Sequence, residues 1–294
     1  MPTSNQIENE IKEASSPDDQ IRRKYLSELV EKTGRSAILY YSGWLVGQSN
    51  PAYAISDHDK IGLMSACHGI KRDCGLDLIL HTPGGDIAAT ESIVDYLKNM
   101  FDDIRVIVPQ LAMSAGTMIA CSSNTILMGK QSSLGPIDPQ IGGIPAHGVI
   151  EEFEEAVRQV AAAPATVPIW QVVIGKYPPS FLGKCQKAVQ WSENMVRKWL
   201  EERMFDGDSD ADVKIDKIVQ DLASHSNSLN HARHYSAQQC KDLGLKVFMM
   251  EDDQKLQDAV LSVHHATMHT ISNSSEAPIF KIIENHFGAA MVTT

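Results

Sequence analysis

The sequence predicts an α/β protein, a sheet in layers with helices packed on it, in a chain of 294 residues. Three observations predict this. Short apolar runs of strand length alternate with stretches of helical periodicity across short connections, the pattern of right-handed β-α-β layering. No charged residue lies between Arg105 and Lys130, which suits an interior. Hydrophobic residues make up 43% and charged residues 21%, enough to bury a core and too apolar for wholesale disorder.

Each element follows in order. Residues 1–35 read as a helical arm, with Asp18 or Asp19 at a cap and Ile21, Tyr25, Leu26 and Leu29 as an apolar stripe. Residues 36–43 (SAILYYSG) read as a strand ending in a turn, and a helix follows Ser56 with Ile61, Met64 and Cys67 on one face. Residues 77–81 (DLILH) form a buried strand, Thr82-Pro83-Gly84-Gly85 a turn, and residues 87–101 a helix with Ala89, Ile93, Leu97 and Met100 inward. A strand at 104–108, a short buried helix at 114–121 and a strand at 125–128 continue the alternation. Residues 129–148 are Gly- and Pro-rich and read as a loop, 151–163 as an acidic helix, and the stretch punctuated by Pro164, Pro168, Pro178 and Pro179 as irregular. A long helix at 184–205 places Ala188, Trp191, Met195 and Trp199 inward, and 206–212 form an acidic turn. Ser236 caps a short helix closed by Gly244, before a strand at 246–249. The expected organisation is an arm (1–35), one main domain (36–250) and a C-terminal extension (251–294).

Composition excludes some functions. Lys plus Arg is 26 and Asp plus Glu is 37, a formal net charge of -11. That argues against a general nucleic-acid binder and against docking on anionic membranes. The five cysteines, Cys67, Cys74, Cys121, Cys185 and Cys240, are odd in number and lack metal-ligand spacing, so reduced thiols in a reducing compartment are expected. The polar N-terminus has no apolar h-region. The uncharged stretch has the length of a membrane span, but Pro109, Gln110, Ser114, Gly116 and the run Ser122-Ser123-Asn124-Thr125 would need partners in lipid. A cytoplasmic protein without a membrane anchor, metal or cofactor is expected. No GxxxxGK[ST] loop occurs, and the pattern His264-His265…His269 is a weak metal signal.

Two features carry chemistry. In the first, a buried strand runs into His81-Thr82-Pro83-Gly84-Gly85-Asp86 and then a helix. A paired-glycine turn brings backbone N–H groups close to a ligand, because no Cβ intervenes. Such groups suit a phosphate or an oxyanion equally, or the turn is a tight connection only. The second is Met113-Ser114-Ala115-Gly116-Thr117, a serine at a helix start flanked by small residues that let a substrate backbone approach. By itself such a serine is ordinarily a cap; the helix start also favours the negative charge that acyl transfer generates.

Together, thirty residues apart, Pro83-Gly84-Gly85 and Ser114-Ala115-Gly116 resemble the Clp-type serine peptidases and the signal peptide peptidase A family, which share the crotonase-like fold. The resemblance implies a ClpP/crotonase-like repeated β-β-α superhelix with helical extensions at both ends. It implies Ser114 as nucleophile and an oxyanion hole from Gly84 or Gly85 and the N–H of Ala115. The segment Ser132-Ser133-Leu134-Gly135-Pro136-Ile137-Asp138 carries Asp138 where the Clp-type histidine stands. Ser236-Ala237 through Gly244-Leu245 is similar to the last helix of that pattern. Ala232 stands at the place of the Clp-type aspartate, with His231 beside it.

This exchange of Asp and His, with HTPGGD, SSLGPIDPQ and the segments Arg22–Tyr25 and Tyr40–Gly43, resembles the narrower serine dehydrogenase proteinase family over about residues 20 to 250. The resemblance implies His231 as general base and Asp138 as its orienting carboxylate. His225 and His234 lie close by. In the Clp arrangement the position of Asp138 is nearest the serine, which leaves Asp138 itself as an alternative base. Lys176, in Ile174-Gly175-Lys176-Tyr177, is a third, similar to the loop that delivers the lysine of signal peptide peptidase A two positions later, where Pro178 stands. A lysine base must be desolvated. His81 suits a substrate-lining role or a buried hydrogen-bonded one, and Trp191 and Trp199 suit a core.

The function expected from the resemblance is a serine endopeptidase acting on peptides or unfolded proteins through an acyl-enzyme on Ser114. Such folds imply a homo-oligomer, a trimer, tetramer or hexamer. Two alternatives stand beside it: a crotonase-like acyl-CoA enzyme, which uses the same glycine turn, and a catalytically silent binding or scaffold protein.

Overall fold

The computed structural model describes residues 17–223, 233–274, 277–288 and 290–294. Helix α1 (Pro17–Thr33) leads into strand β1 (Ser36–Ser42), all of whose residues are buried. Its side chains alternate between two cores. Ile38 and Tyr40 enter one, and Ala37, Leu39 and Tyr41 the other, as the period of two requires for a strand covered on both faces. Helix α2 (His58–Ala66) follows, then β2 (Leu76–His81), α3 (Ile87–Met100), β3 (Ile104–Val108), the short β4 (Leu111–Ala112), α4 (Ala115–Cys121) and β5 (Thr125–Met128). Asp86 caps α3 by accepting from the amide of Ala89 at 2.8 Å.

Short strands β6 (Ser133–Leu134), β7 (Gln140–Ile141) and β8 (Ile144–Pro145) lie within the Gly/Pro-rich stretch. A helical region succeeds them: α5 (Ala146–Ala162), α6 (Val167–Ile174), α7 (Phe181–Trp199) with a π-helical continuation at Leu200–Met204, and α8 (Ala211–Ala223). The chain closes with β9 (Tyr235–Ser236), α9 (Ala237–Leu243), β10 (Val247–Met249), α10 (Gln254–Ser272), β11 (Lys281–Asn285) and β12 (Ala290–Thr293). Helix α9 has the expected boundaries: Ser236 and Gln239 form a reciprocal capping box, and Gly244 takes φ 110° at the C-cap.

The main sheet has the order β10-β5-β3-β2-β1-β11-β12. β1, β2, β3, β5 and β10 are parallel, while β11 runs antiparallel between β1 and β12. One core lies between the sheet and helices α3, α4, α7, α8 and α9, the other between the sheet and the pair α1–α10. The residues expected to form an arm and a C-terminal extension therefore pack on each other, and the extension supplies two strands of the sheet. Buried Arg22 on α1 joins them, donating to Glu284 on β11 at 2.5 Å. At the start of β2, buried Asp77 accepts from Arg35 at 2.8 Å and from Arg105 at 2.6 Å.

Four expectations are corrected. On α2, Ile61 and Met64 are exposed, and Asp59, Gly62, Leu63 and Ala66 are buried instead, because β11 and β12 cover that side; a Cβ on Gly62 would stand 2.7 Å from Met291. Trp191 is 41% exposed, whereas Met195 and Trp199 are buried as expected. The acidic helix begins at Ala146, five residues early. The proline-punctuated stretch contains α6, with Pro168 in its first turn, where a missing N–H costs nothing.

Candidate active site

The glycine turn is held from two sides. On one, Thr82 donates its N–H to Leu111 O at 3.1 Å and accepts from Met113 N at 3.0 Å, which ties the turn to the residues running into Ser114. On the other, Ile55 donates to Gly84 O at 2.8 Å and accepts from Asp86 N at 2.9 Å. Gly84 takes φ +96°, and a Cβ there would stand 2.7 Å from Met113 O, 2.8 Å from Ser114 Cβ and 2.9 Å from Ala115 N. A Cβ on Gly85 would stand 2.2 Å from Ile55 N. Only glycines fit, because backbone approaches backbone on both flanks.

Ser114 is half-buried at the mouth of α4, a helix buried along its whole length. Its backbone has φ 51° and ψ −117°, a conformation L-residues rarely adopt. Its side chain makes no capping bond, so the ordinary role of a serine at a helix start is not the one it plays here. Strain of this kind persists only where surrounding contacts impose it. They are present: Gly116 N donates to Met113 O at 2.8 Å and Met118 N to Ser114 O at 3.1 Å. Thr117 Oγ1 donates to Ala112 O at 3.0 Å and accepts from Gly135 N at 2.9 Å. A Cβ on Gly116 would stand 2.6 Å from Thr82 Cγ2, which explains the second small residue after the serine.

A second sheet, in the order β4-β6-β9, organises the rest. β4 and β6 are parallel and β9 is antiparallel, with Leu134 opposite Tyr235. The chain therefore leaves β4 toward Ser114 and β6 toward Asp138 at the end where it enters β9. Asp138 is buried. The residue before it, Ile137, donates to Leu222 O on α8 at 2.9 Å and accepts from Ser192 Oγ on α7 at 3.1 Å. Burial pushes the Tyr235 phenol up, and Asp138 is among the charges that add to this. His231 and His225 lie outside the described residues. The described residues on either side of them, Leu222 and Tyr235, are both bonded to the segment that carries Asp138.

Lys176 is exposed beyond the end of α6, in a cavity of about 580 Å³ lined by Ile141, Glu152, Tyr177 and Phe181 among others. His81 is buried and faces the α1–α10 core. Its Nδ1 accepts from Leu111 N at 3.4 Å, and its ring packs on Trp44, Tyr41 and His264 at 4.3, 5.1 and 5.8 Å between centroids. Burial lowers its pKa to about 3. Tyr41 Oη meets His264 Nδ1 at 2.9 Å, and burial holds His264 down at about 4. Among the described residues no group of three or more His, Cys, Asp or Glu side chains is disposed to hold a metal ion. No helix among them is long and apolar enough to cross a membrane.

Residues 49–256 match the model of the ClpP-like SDH-type serine proteinases. The chain belongs to this family. Its α/β architecture is thus a ClpP-like one, and both the paired-glycine turn and Ser114 fall inside the matched region. Two uncharacterized proteins of Methanocaldococcus jannaschii are similar to it. One is 40% identical over 36% of this chain and 37% of its own length, the other 30% identical over 66% of this chain and 59% of its own. The chain thus spans less than two thirds of either relative. Among solved structures, a serine-to-alanine mutant of the 1510-N membrane-bound stomatin-specific protease is similar at 15% identity and a TM-score of 0.40, covering 70% of this chain and 79% of its own.

Sequence reasoning missed two parts of this candidate site. The segment 54–56, which grips the turn, carries no motif and lies about thirty residues from it. Thr117 was legible only as the residue after Ser-Ala-Gly, although its hydroxyl joins the serine's helix to the Asp138 segment.

Proposed function

We propose that the protein is a serine endopeptidase with Ser114 as nucleophile. The observation that carries this reading is the strained backbone of Ser114 packed directly on Gly84. A serine with φ 51° and no capping bond, pressed against a turn that admits no Cβ, performs no structural task that calls for its hydroxyl. In the reaction, Ser114 Oγ attacks a peptide carbonyl and passes its proton to His231. The negative oxygen of the tetrahedral intermediate is held by the N–H of Ala115 and an N–H of the Gly84-Gly85 turn. His231 returns the proton to the departing amine, and water then releases the acyl group by the same steps in reverse order. Asp138 accepts a hydrogen bond from the imidazole and keeps its tautomer.

The β4-β6-β9 sheet supports this assignment, since it gathers the segments that bear Ser114 and Asp138 at the end where the chain, shortly after His231, enters β9. Burial of Asp138 supports an orienting role over that of a base exchanging protons with solvent. Lys176 lacks the desolvation a lysine base requires, because it is exposed in the single chain. Assembly with further copies is part of the reading, supported by the exposed apolar side chains Val157, Ile169 and Val172 of α5 and α6.

The test is labelling with a fluorophosphonate probe, for the wild type and for Ser114→Ala, His231→Ala and Lys176→Ala. The expected result is labelling of wild type and Lys176→Ala, with both other variants silent. Labelling that survives in His231→Ala and disappears in Lys176→Ala would transfer the base to the lysine. A folded wild type that never labels would remove the peptidase reading and favour a silent binding protein or an acyl-CoA enzyme.

A further inference from the structure

A buried ion pair outside the catalytic residues stands directly behind the glycine turn. Lys281, on β11, is buried, and its Nζ lies 2.6 Å from Oδ1 of buried Asp59 on α2. Tyr40 Oη donates to Asp59 Oδ2 at 2.8 Å. Enclosing such a pair is costly, and replacing it with apolar residues often leaves stability unchanged or improved. Its hydrogen bonds indicate a different use. Lys281 Nζ donates to Ala54 O at 2.8 Å, and Asp59 Oδ2 accepts from Ser56 N at 2.8 Å. Ala54 N and Ser56 O are taken up within the chain, by Pro51 O and Asp59 N at 3.0 Å each. Ile55 between them is left with one donor and one acceptor, and both go to the turn, to Gly84 O and Asp86 N.

We propose that Lys281 and Asp59 are positioning residues for the oxyanion-binding turn. They act through residues 54–56, which they hold as a splint against Gly84–Asp86, while Leu111 and Met113 tie the turn's opposite flank through Thr82. This rests on the peptidase reading of the same site. The pair touches neither substrate nor nucleophile. Its role is to fix the turn's N–H groups where the oxyanion forms, so its loss slows acylation and leaves substrate affinity unchanged. The lysine lies beyond the residues that match the family model, which end at 256, so the splint is completed from outside the matched region.

The test compares Lys281→Met with Asp77→Asn in the full chain. Asp77 is an equally buried carboxylate paired with two arginines at the far end of β2, and serves as a purely structural control. Three readouts are taken: melting temperature, the rate of fluorophosphonate labelling with kcat and KM on a peptide, and hydrogen exchange of the Ile55 and Asp86 amides. Removing one oxyanion donor costs about 100-fold or more in kcat, so a displaced turn is expected to cost at least about tenfold. Lys281→Met is expected to lower labelling rate and kcat by that factor at constant KM, and to speed exchange at Ile55 and Asp86 about tenfold. Asp77→Asn is expected to lower the melting temperature without either effect, and Lys281→Arg to restore part of the rate. Equal loss of rate in Lys281→Met and Asp77→Asn would overturn the proposal, as would unchanged exchange at Ile55 and Asp86. Should Lys281→Met not fold, the same readouts on the double variant Asp59→Asn/Lys281→Gln decide it. If the folded wild type never labels, the peptidase reading fails on that result alone, and the exchange data still accept or reject the splint.

Discussion

Replacing Gly84 with alanine tests the close packing at the site most directly. The new Cβ would meet Met113 O at 2.7 Å, Ser114 Cβ at 2.8 Å and Ala115 N at 2.9 Å. Two of these are backbone atoms, and Met113 is tied through its N–H to Thr82 O and through its carbonyl to Gly116 N. They cannot yield without moving Ser114. The φ of +96° adds a second cost, about 1–2 kcal/mol for an L-residue with positive φ. Overpacking adds about 1–3 kcal/mol, for a total of about 2–5 kcal/mol. Gly34 separates the two contributions. Its φ is +68° and no atom lies within 4 Å of its Cβ position, so Gly34→Ala bears the strain alone, about 1–2 kcal/mol. At about 2–4 °C per kcal/mol for a domain of this size, Gly34→Ala should melt about 3–6 °C below wild type and Gly84→Ala about 10 °C below. Labelling of Ser114 should fall about 100-fold or more in Gly84→Ala and stay at the wild-type rate in Gly34→Ala. Calorimetry and timed fluorophosphonate labelling check both. Equal melting temperatures in the two variants, or wild-type labelling in Gly84→Ala, would refute the reasoning.

Other outcomes follow from the same geometry. Ser114→Gly should relieve the strain at φ 51° and raise stability by about 1 kcal/mol while abolishing labelling; a destabilised variant in calorimetry would contradict this. Trp199→Ala should cost about 3–5 kcal/mol and Trp191→Ala less than about 1 kcal/mol, since the first is 1% and the second 41% exposed; denaturant midpoints distinguish them. His81 and His264 are held neutral in the fold, at about 3 and about 4, against an ordinary value near 6.5. The unfolded chain therefore binds more protons below pH 6.5. The stability these groups confer is full above that pH and is lost as pH falls toward 4, at up to about 1.4 kcal/mol per pH unit for each histidine. His264→Phe should flatten the slope of melting temperature between pH 6.5 and 5, and an unchanged slope would count against the assignment.

The strands were largely legible, because each strand next to the turn is nearly all buried and reads as a mostly apolar run, and the candidate site stood out in the sequence beside them. Ser114 and the glycine pair announced themselves through small residues at fixed positions around one serine. The failures have a common cause. The side of α2 that turns inward is decided by β11 and β12, whose residues lie more than two hundred positions away. A helix with apolar side chains on both faces, Ile61 and Met64 on one and Leu63 and Ala66 on the other, does not declare which is covered. Nothing local in the sequence says that Asp59 and Lys281 meet as counterions in the interior. Trp191 sits on the correct helix but one turn too early for the core that Met195 and Trp199 enter.

The placing of β11 beside β1 has a consequence for the life of the nascent chain. Strand β1 acquires its partner β2 within about forty residues, but its other edge stays open until residues 281–285 have been made. At roughly 5–20 residues per second that interval is on the order of 12–50 s. Throughout it, Lys281 does not yet exist to complete the splint. On the proposed reading, a protease built this way keeps its cutting centre unassembled through that interval, and becomes competent only once β11 has joined β1.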